Sequence, residues 1–356
     1  MSSYNLIGLM SGTSMDGLDI ANVHFSYSEK IGWSFKIESS STVKYEPSLL
    51  EKLKRSKQLS AFDLLILDKE LGMFFSTAVN KFITEKQINS NTIDAICSHG
   101  HTVFHQPNKG ITHQIGCGET LAFHTGIKVI NNFRQKDVVA GGQGAPLVPI
   151  GDKLLFKNKA DAYLNIGGFT NVCYPNENTK AYDVCPGNLP LNHFAEKLGK
   201  EYDFNGDFAR NGSLNQPLLN KLNSIPYYNL PGPKSLGTEW LDLDFMTQID
   251  GAIPPNDTIN TIVEHISFQI AKDLNSMLAK SVFITGGGAK NSYLIDRIKV
   301  HFKGIVHIPE NQIIDYKEAL IFGFLGALYL KNQTNSICSV TGASRDTIGG
   351  VLHLPN

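Results

Sequence analysis

Gly8-Leu9-Met10-Ser11-Gly12-Thr13-Ser14-Met15-Asp16-Gly17-Leu18-Asp19 decides the fold of this chain. The apolar run Tyr4 to Leu9 precedes it and a second alternating run, Ile20 to Phe25, follows, so the stretch reads as the turn of a β-hairpin. Its glycines tolerate unusual backbone angles, its hydroxyls donate hydrogen bonds, and its carboxylates reach a metal. Those parts suit a loop that holds nucleotide phosphates, with Gly12, Thr13, Ser14, Met15, Asp16, Gly17, Leu18 and Asp19 as the cradle and Asp16 toward Mg2+. Taken alone, the same residues also make an ordinary polar hairpin.

Two later segments repeat the arrangement. Asn165-Ile166-Gly167-Gly168 follows the apolar strand Ala162–Ile166, and Thr285-Gly286-Gly287-Gly288 lies between an apolar strand and a helix that opens near Asn291. Neither a Gly-x-x-x-x-Gly-Lys-Ser/Thr run nor a Gly-x-Gly-x-x-Gly strand–helix turn is present, which argues against a P-loop NTPase and a dinucleotide-binding first domain. Three strand-then-glycine turns spread along the chain point to an α/β protein of two actin/hexokinase-like (ribonuclease H-like) domains facing a central cleft.

The chain also resembles the anhydro-N-acetylmuramic acid kinases, a branch of the sugar-kinase/actin superfamily. The resemblance runs through Gly8 to Ala21, Ser98-His99-Gly100-His101-Thr102, Asn132 to Asp137 leading into Ala140 to Pro149, and Asp183-Val184-Cys185-Pro186-Gly187-Asn188. Tyr202 to Gly206, Gly286 to Asn291, Lys317-Glu318-Ala319 and Val340 to Ala343 follow in the same order, covering residues 5 to 351. It implies a kinase that opens 1,6-anhydro-N-acetylmuramic acid and phosphorylates O6 from ATP with Mg2+, in cell-wall recycling. It also implies a homodimer. The departures are His101, usually Gln; Asn132 and Asn192, usually Asp; and Thr238, usually Arg. They bear on sugar preference and metal support and leave Asp183 intact.

Composition agrees with an enzyme of this kind. The 356 residues suffice for two cores, and a net charge of −1 offers no broad basic surface for nucleic acid. The five cysteines are odd in number and form no Cys-x-x-Cys pair, as expected in a reducing compartment. Asp16 and Asp19 interrupt any secretion signal and no run spans a bilayer, so the expected location is cytoplasmic, with no membrane partner.

Residues 1–155 read as the first domain and 156–356 as the second, with helix 316–330 packing at their junction. Strands are expected at 4–10, 20–27, 33–39, 93–98 and 128–132. Helices are expected at 47–55 and at 61–84, the latter with Leu64, Leu65, Leu67, Leu71, Phe74 and Phe75 on one face. Residues 214–256, rich in proline, read as a loop-rich insertion beside the cleft, followed by a helix at 258–279 whose apolar stripe is core packing.

Asp183, expected to close the strand Ala181–Tyr182 ahead of a Pro-Gly-Asn turn, is a candidate general base. Read alone, an Asp before Pro-Gly is more often a turn residue; the resemblance matches it to the family's catalytic Asp, which activates water against the anomeric carbon. Gly167 and Gly168 are assigned to opposing phosphate contacts. Gly286, Gly287 and Gly288 are assigned to close approach by the adenosine. Arg134 and Asp137 are either a surface ion pair or substrate contacts, the guanidinium suiting a lactyl carboxylate. His99 and His101 are assigned to sugar hydrogen bonding, zinc ligation and plain packing being the alternatives. Glu318 is assigned to charge handling, with an exposed helix carboxylate as its alternative. Rival readings of the whole chain are a kinase of another anhydrosugar such as levoglucosan, or a non-catalytic actin-like nucleotide-binding module.

Overall fold

The computed structural model describes residues 2–12, 15 and 17–356. Its strands are β1 (Ser2–Ser11), β2 (Leu18–Ser28), β3 (Gly32–Val43), β4 (Ala95–Ser98), β5 (His101–Gln106), β6 (Ile111–Ile115), β7 (Val129–Asn131), β8 (Ala162–Ile166), β9 (Phe169–Tyr174), β10 (Lys180–Pro186), β11 (Ser281–Thr285), β12 (Ile305–His307) and β13 (Val351–His353). The chain divides into two compact units, Met1–Leu155 with Tyr316–Asn356, and Phe156–Asp315.

In the first unit the sheet runs β13-β7-β4-β1-β2-β3, and β5-β6 form a separate ribbon. β1, β2 and β3 are an antiparallel meander, and β4 and β7 extend it in parallel. The second unit's sheet runs β10-β9-β8-β11-β12. There too, a meander is extended by two parallel strands. Each unit thus carries the same 3-2-1-4-5 order of meander plus parallel pair, the actin/hexokinase-like, ribonuclease H-like plan expected from the glycine turns.

Both faces of the first sheet are covered, which is why its strands read as nearly continuous apolar runs. Ile7, Leu9, Leu18 and Ile20 pack in one core with Leu67, Leu71 and Phe75 of the helix Ala61–Glu85. That helix starts at Ser60, whose Oγ accepts from the Asp63 N–H at 3.1 Å. Burying each of those large side chains contributes about 1.5–3 kcal/mol. Leu65, expected on the same face, is exposed instead; the buried stripe runs on through Ala78, Val79 and Phe82.

The opposite face carries Gly8 and Phe25, and the helix Asn311–Leu330 lies on it. A Cβ at Gly8 would collide with the Ala319 carbonyl, and one at Gly326 with Cys97 Sγ. The Phe25 and Phe324 rings sit 5.7 Å apart. This packing corrects the expected division of the chain: Tyr316–Asn356 belongs with the first unit rather than the second. β13 adds the same lesson, pairing antiparallel with β7. The helix is kinked at Tyr316 (φ −118°, ψ 15°), where the two units divide.

In the second unit the helix Pro255–Ser276 opens on Pro255 and buries Ile259, Ile262, Val263, Ile266, Ile270 and Leu274, as the stripe predicts. The proline-rich stretch before it is less loop-like than expected. It contains the helix Gln216–Asn223 and sends Tyr227, Tyr228, Leu241 and Phe245 into the core. Among the described residues no helix is long and apolar enough to cross a membrane.

Candidate functional site

Each unit carries its own group of candidate side chains. In the first, β4 ends at Ser98 and hands on to His99, while Arg134 follows β7 just after Asn132, which holds the left-handed conformation (φ 56°) that Asn tolerates well. The Arg134 Nε donates to His99 Nε2 at 3.0 Å, and Nη1 donates to the Gly144 carbonyl at 2.7 Å. Because His99 Nε2 accepts, the ring is neutral with its proton on Nδ1. Burial, then the adjacent guanidinium, hold its pKa well below the ordinary value. That Nδ1 is buried and makes no hydrogen bond of ordinary geometry among the described residues.

Burial lowers the Arg134 pKa to about 10 while the Glu318 carboxylate opposes the shift, so the side chain stays charged at neutral pH. With Nε and Nη1 engaged, its Nη2 end has no acceptor among the described residues. His99 and Arg134, predicted separately, are joined by a hydrogen bond, and the Glu318 charge acts on the same guanidinium. Glu318 is exposed on the helix Asn311–Leu330, whereas Lys317 beside it is buried against Asp152 at 2.7 Å.

Two other predicted sugar contacts are engaged by the protein itself. Asp137 is fully buried. Its Oδ2 accepts from the Gly144 N–H at 2.7 Å, and its Oδ1 accepts from Ser336 Oγ at 2.7 Å and Thr341 Oγ1 at 2.8 Å. Three protein donors hold the carboxylate, which joins the Gly141–Gly144 loop to the C-terminal segment, and no ion pair with Arg134 forms among the described residues. His101 is 1% exposed and hydrogen-bonded through Nδ1 to Ser11 Oγ at 3.2 Å, which in turn accepts from Tyr45 Oη at 2.6 Å. Its position at the first residue of β5 makes it part of the ribbon's packing.

The β1–β2 turn joins Ser11 to Leu18, which pair directly. Thr13, Ser14 and Asp16 lie outside the described residues, and with them the expected metal contact. Met15 has a positive φ of 57° and its N–H donates to the Gly12 carbonyl at 3.2 Å. Leu18 is a core residue with no exposed surface, so only its backbone belongs to the turn. Asp19 Oδ1 accepts from Thr42 Oγ1 at 2.5 Å.

In the second unit, the turns after the parallel neighbours β8 and β11 lie together, where ligands collect in open α/β sheets. Gly286 (φ 82°) and Gly288 are explained by the protein alone, since a Cβ at either would strike Asn165 or Ile166. Gly287 and Gly167 differ: a Cβ there would meet nothing nearer than 3.5 Å, on Asn188 Nδ2 and Asn165 Nδ2 respectively. The close approach expected of all three glycines is thus a packing matter at two of them. Gly168 and Gly167 use their carbonyls to accept from the N–H groups of Gly187 and Asn188, both at 2.8 Å, anchoring the helix Asn188–Glu196. Asn165 and Asn188, which sequence reading passed over, border this open backbone; their only signal was adjacency to the glycine turns.

Asp183 lies inside β10 rather than at its end, at a register shift between Asp183 and Cys185. The bulge re-aims the side chain. Its N–H donates to the Lys234 carbonyl at 3.0 Å, and Oδ2 accepts from the Leu236 N–H at 2.8 Å. No other hydrogen bond reaches the carboxylate among the described residues, so Oδ1 is available. Burial raises its pKa, opposed by the Leu236 hydrogen bond, which makes it a stronger base than an ordinary surface Asp. A carboxylate with one oxygen fixed and the other open can take a proton from water.

Comparison with known proteins bears on what this arrangement serves. The family model described as anhydro-N-acetylmuramic acid kinase matches residues 4–355. The anhydro-N-acetylmuramic acid kinase of Haemophilus influenzae is 35% identical, with 97% of each chain covered. That of Pasteurella multocida is 34% identical over 98% of this chain and 96% of its own. That of Shewanella denitrificans is 36% identical, over 97% and 96%.

Proposed function

We propose that this chain, which belongs to the anhydro-N-acetylmuramic acid kinase family, opens the 1,6-anhydro bridge of 1,6-anhydro-N-acetylmuramic acid with water. It then transfers the γ-phosphoryl group of ATP to the freed O6, giving N-acetylmuramic acid 6-phosphate for cell-wall recycling. The observation that carries the reading is the Asp183 carboxylate, with Oδ2 held by Leu236, Oδ1 open, and basicity raised by burial.

In this mechanism Asp183 Oδ1 takes a proton from water as the water oxygen bonds to C1. The C1–O6 bond breaks and its electron pair goes to O6. O6 bonds to the γ-phosphorus, the bond from that phosphorus to the β,γ-bridging oxygen breaks, and ADP leaves. Asp183 returns its proton to solvent. Such transfer asks mainly for positioning and charge neutralisation. The Nη2 end of Arg134 holds the lactyl carboxylate, and His99 Nδ1–H donates to a sugar oxygen. Glu318 balances the guanidinium. Gly12 to Asp19 cradle the phosphates; the open backbone at Gly167 and Gly287 leaves room for nucleotide against the second unit. Mg2+, assigned to Asp16, would neutralise phosphate charge. Action in the cytoplasm as a homodimer belongs to the same proposal.

The reading is tested by a panel of anhydrosugars with ATP and Mg2+, scored by mass spectrometry for the 6-phosphate. The N-acetyl, lactyl-bearing sugar should be phosphorylated and levoglucosan barely so. Equal turnover of both, or ATP binding without any phosphorylated sugar, would overturn it.

A further inference from the structure

β10 is the edge strand of the second sheet, and an edge strand bearing a catalytic side chain needs something to hold its free side. The segment 227–236 does this. Its Lys234 carbonyl accepts from the Asp183 N–H at 3.0 Å, its Leu236 N–H donates to Asp183 Oδ2 at 2.8 Å, and its Tyr227 Oη donates to the Asp183 carbonyl at 2.7 Å. The backbone and one carboxylate oxygen of a single residue are thus gripped by one stretch of chain.

That stretch is in turn fastened by one side chain. Lys234 Nζ donates to the Tyr227 carbonyl at 3.1 Å and the Leu230 carbonyl at 3.2 Å, at the end of the short helix Pro226–Asn229. The ammonium also sits 4.5 Å from the centre of the Tyr227 ring. Without it, two carbonyls at the negative end of a helical turn lose their cation, and the loop carrying Leu236 loses its tie to Tyr227.

We propose that Lys234 is a positioning residue for Asp183: it fastens the 227–236 segment so that the Leu236 N–H holds Oδ2 and Oδ1 stays aimed for the attacking water. The proposal rests on the reading of Asp183 as the base. A misplacement of about 1 Å costs on the order of 100-fold in rate, so Lys234→Met should lower kcat about 10- to 100-fold while leaving KM for ATP within about twofold. Loosening the Leu236 hydrogen bond, which favours the carboxylate form, should also move the acid limb of the kcat/KM profile to higher pH. Lys234→Arg, which keeps a cationic donor, should recover most of both.

The experiment measures the pH profile and kcat of the full chain with the anhydrosugar, ATP and Mg2+ for wild type, Lys234→Met, Lys234→Arg and Asp183→Asn. If Lys234→Met does not fold, Lys234→Gln, which keeps a neutral donor, is measured in the same way. A fall in kcat with the limb displaced upward supports the proposal. Unchanged kcat, or a fall with the limb unmoved, overturns it as a merely structural effect. The two levels fail differently: near-normal turnover in Asp183→Asn removes the base itself, whereas a dead Asp183→Asn beside an unmoved limb removes only the role of Lys234.

Discussion

Asp183→Asn removes basicity and little else. Asn is nearly isosteric with Asp, and its amide oxygen still accepts from the Leu236 N–H that now holds Oδ2 at 2.8 Å. The backbone bonds to Lys234 and Tyr227 do not involve the side chain. The loss is therefore that of the general base alone, about 10²- to 10⁴-fold in turnover, or roughly 3–5 kcal/mol of barrier. Stability should move the other way. Burial raises the folded pKa of Asp183, so the folded state disfavours the charged carboxylate at neutral pH, and the amide relieves that cost. The assay pairs product formation by mass spectrometry with thermal melting at pH 7. The expected result is turnover lowered at least about a hundredfold with an unchanged or higher melting temperature. Near-normal turnover would refute the assignment; lost turnover with a collapsed melting transition would refute the structural argument for it.

Other predictions follow from particular contacts. Arg134→Ala should lower kcat/KM for the lactyl-bearing sugar about 10- to 150-fold, the worth of one hydrogen bond to a charged group. Residual activity on levoglucosan, which has no carboxylate, should fall by less, through the lost hydrogen bond to His99; an equal loss on both would assign Arg134 a structural role. Gly288→Ala should lower the melting temperature through overpacking of about 1–3 kcal/mol against Ile166. Gly287→Ala should melt normally and raise KM for ATP, and equal melting losses in the two variants would contradict this. His265, buried between Asn223 and Tyr228, has its pKa lowered to about 3. The unfolded chain takes that proton first, so stability present above about pH 6.5 is lost as pH falls toward 3, by up to about 1.4 kcal/mol per pH unit. Urea titrations at pH 7, 5.5 and 4.5 should show a shallower decline in His265→Gln than in wild type; parallel declines would count against it.

The fold was most legible where a strand is short and bounded by glycine. The run Ala162–Ile166 is a strand with those very ends, and the helix after Gly288 opens at Asn291 as its capping side chain allows. What stayed hidden was long-range. Nothing local tells that Tyr316–Asn356 returns to the first sheet, because that depends on Gly8 and Gly326 admitting a helix backbone. The β5–β6 ribbon was missed, its polar His101, Thr102, Thr112 and Gln114 giving no apolar alternation. Motif order singled out Arg134 and Asp183 as candidates, but motif membership does not separate a candidate ligand contact from a staple. Asp137 and Leu18 share the motifs and are spent on hydrogen bonding and core packing. Lys234 went unread as a site residue because its effect passes through backbone atoms, which leave no pattern in side-chain identity.

The most direct test of the central claim follows a single oxygen atom. A substrate carrying heavy oxygen in its 1,6 bridge, taken through one turnover with ATP and Mg2+, should place that oxygen in the C6–O–P ester, as attack of water on C1 requires. Heavy oxygen left on C1 would show that water enters elsewhere, and the role given to Asp183 would be wrong.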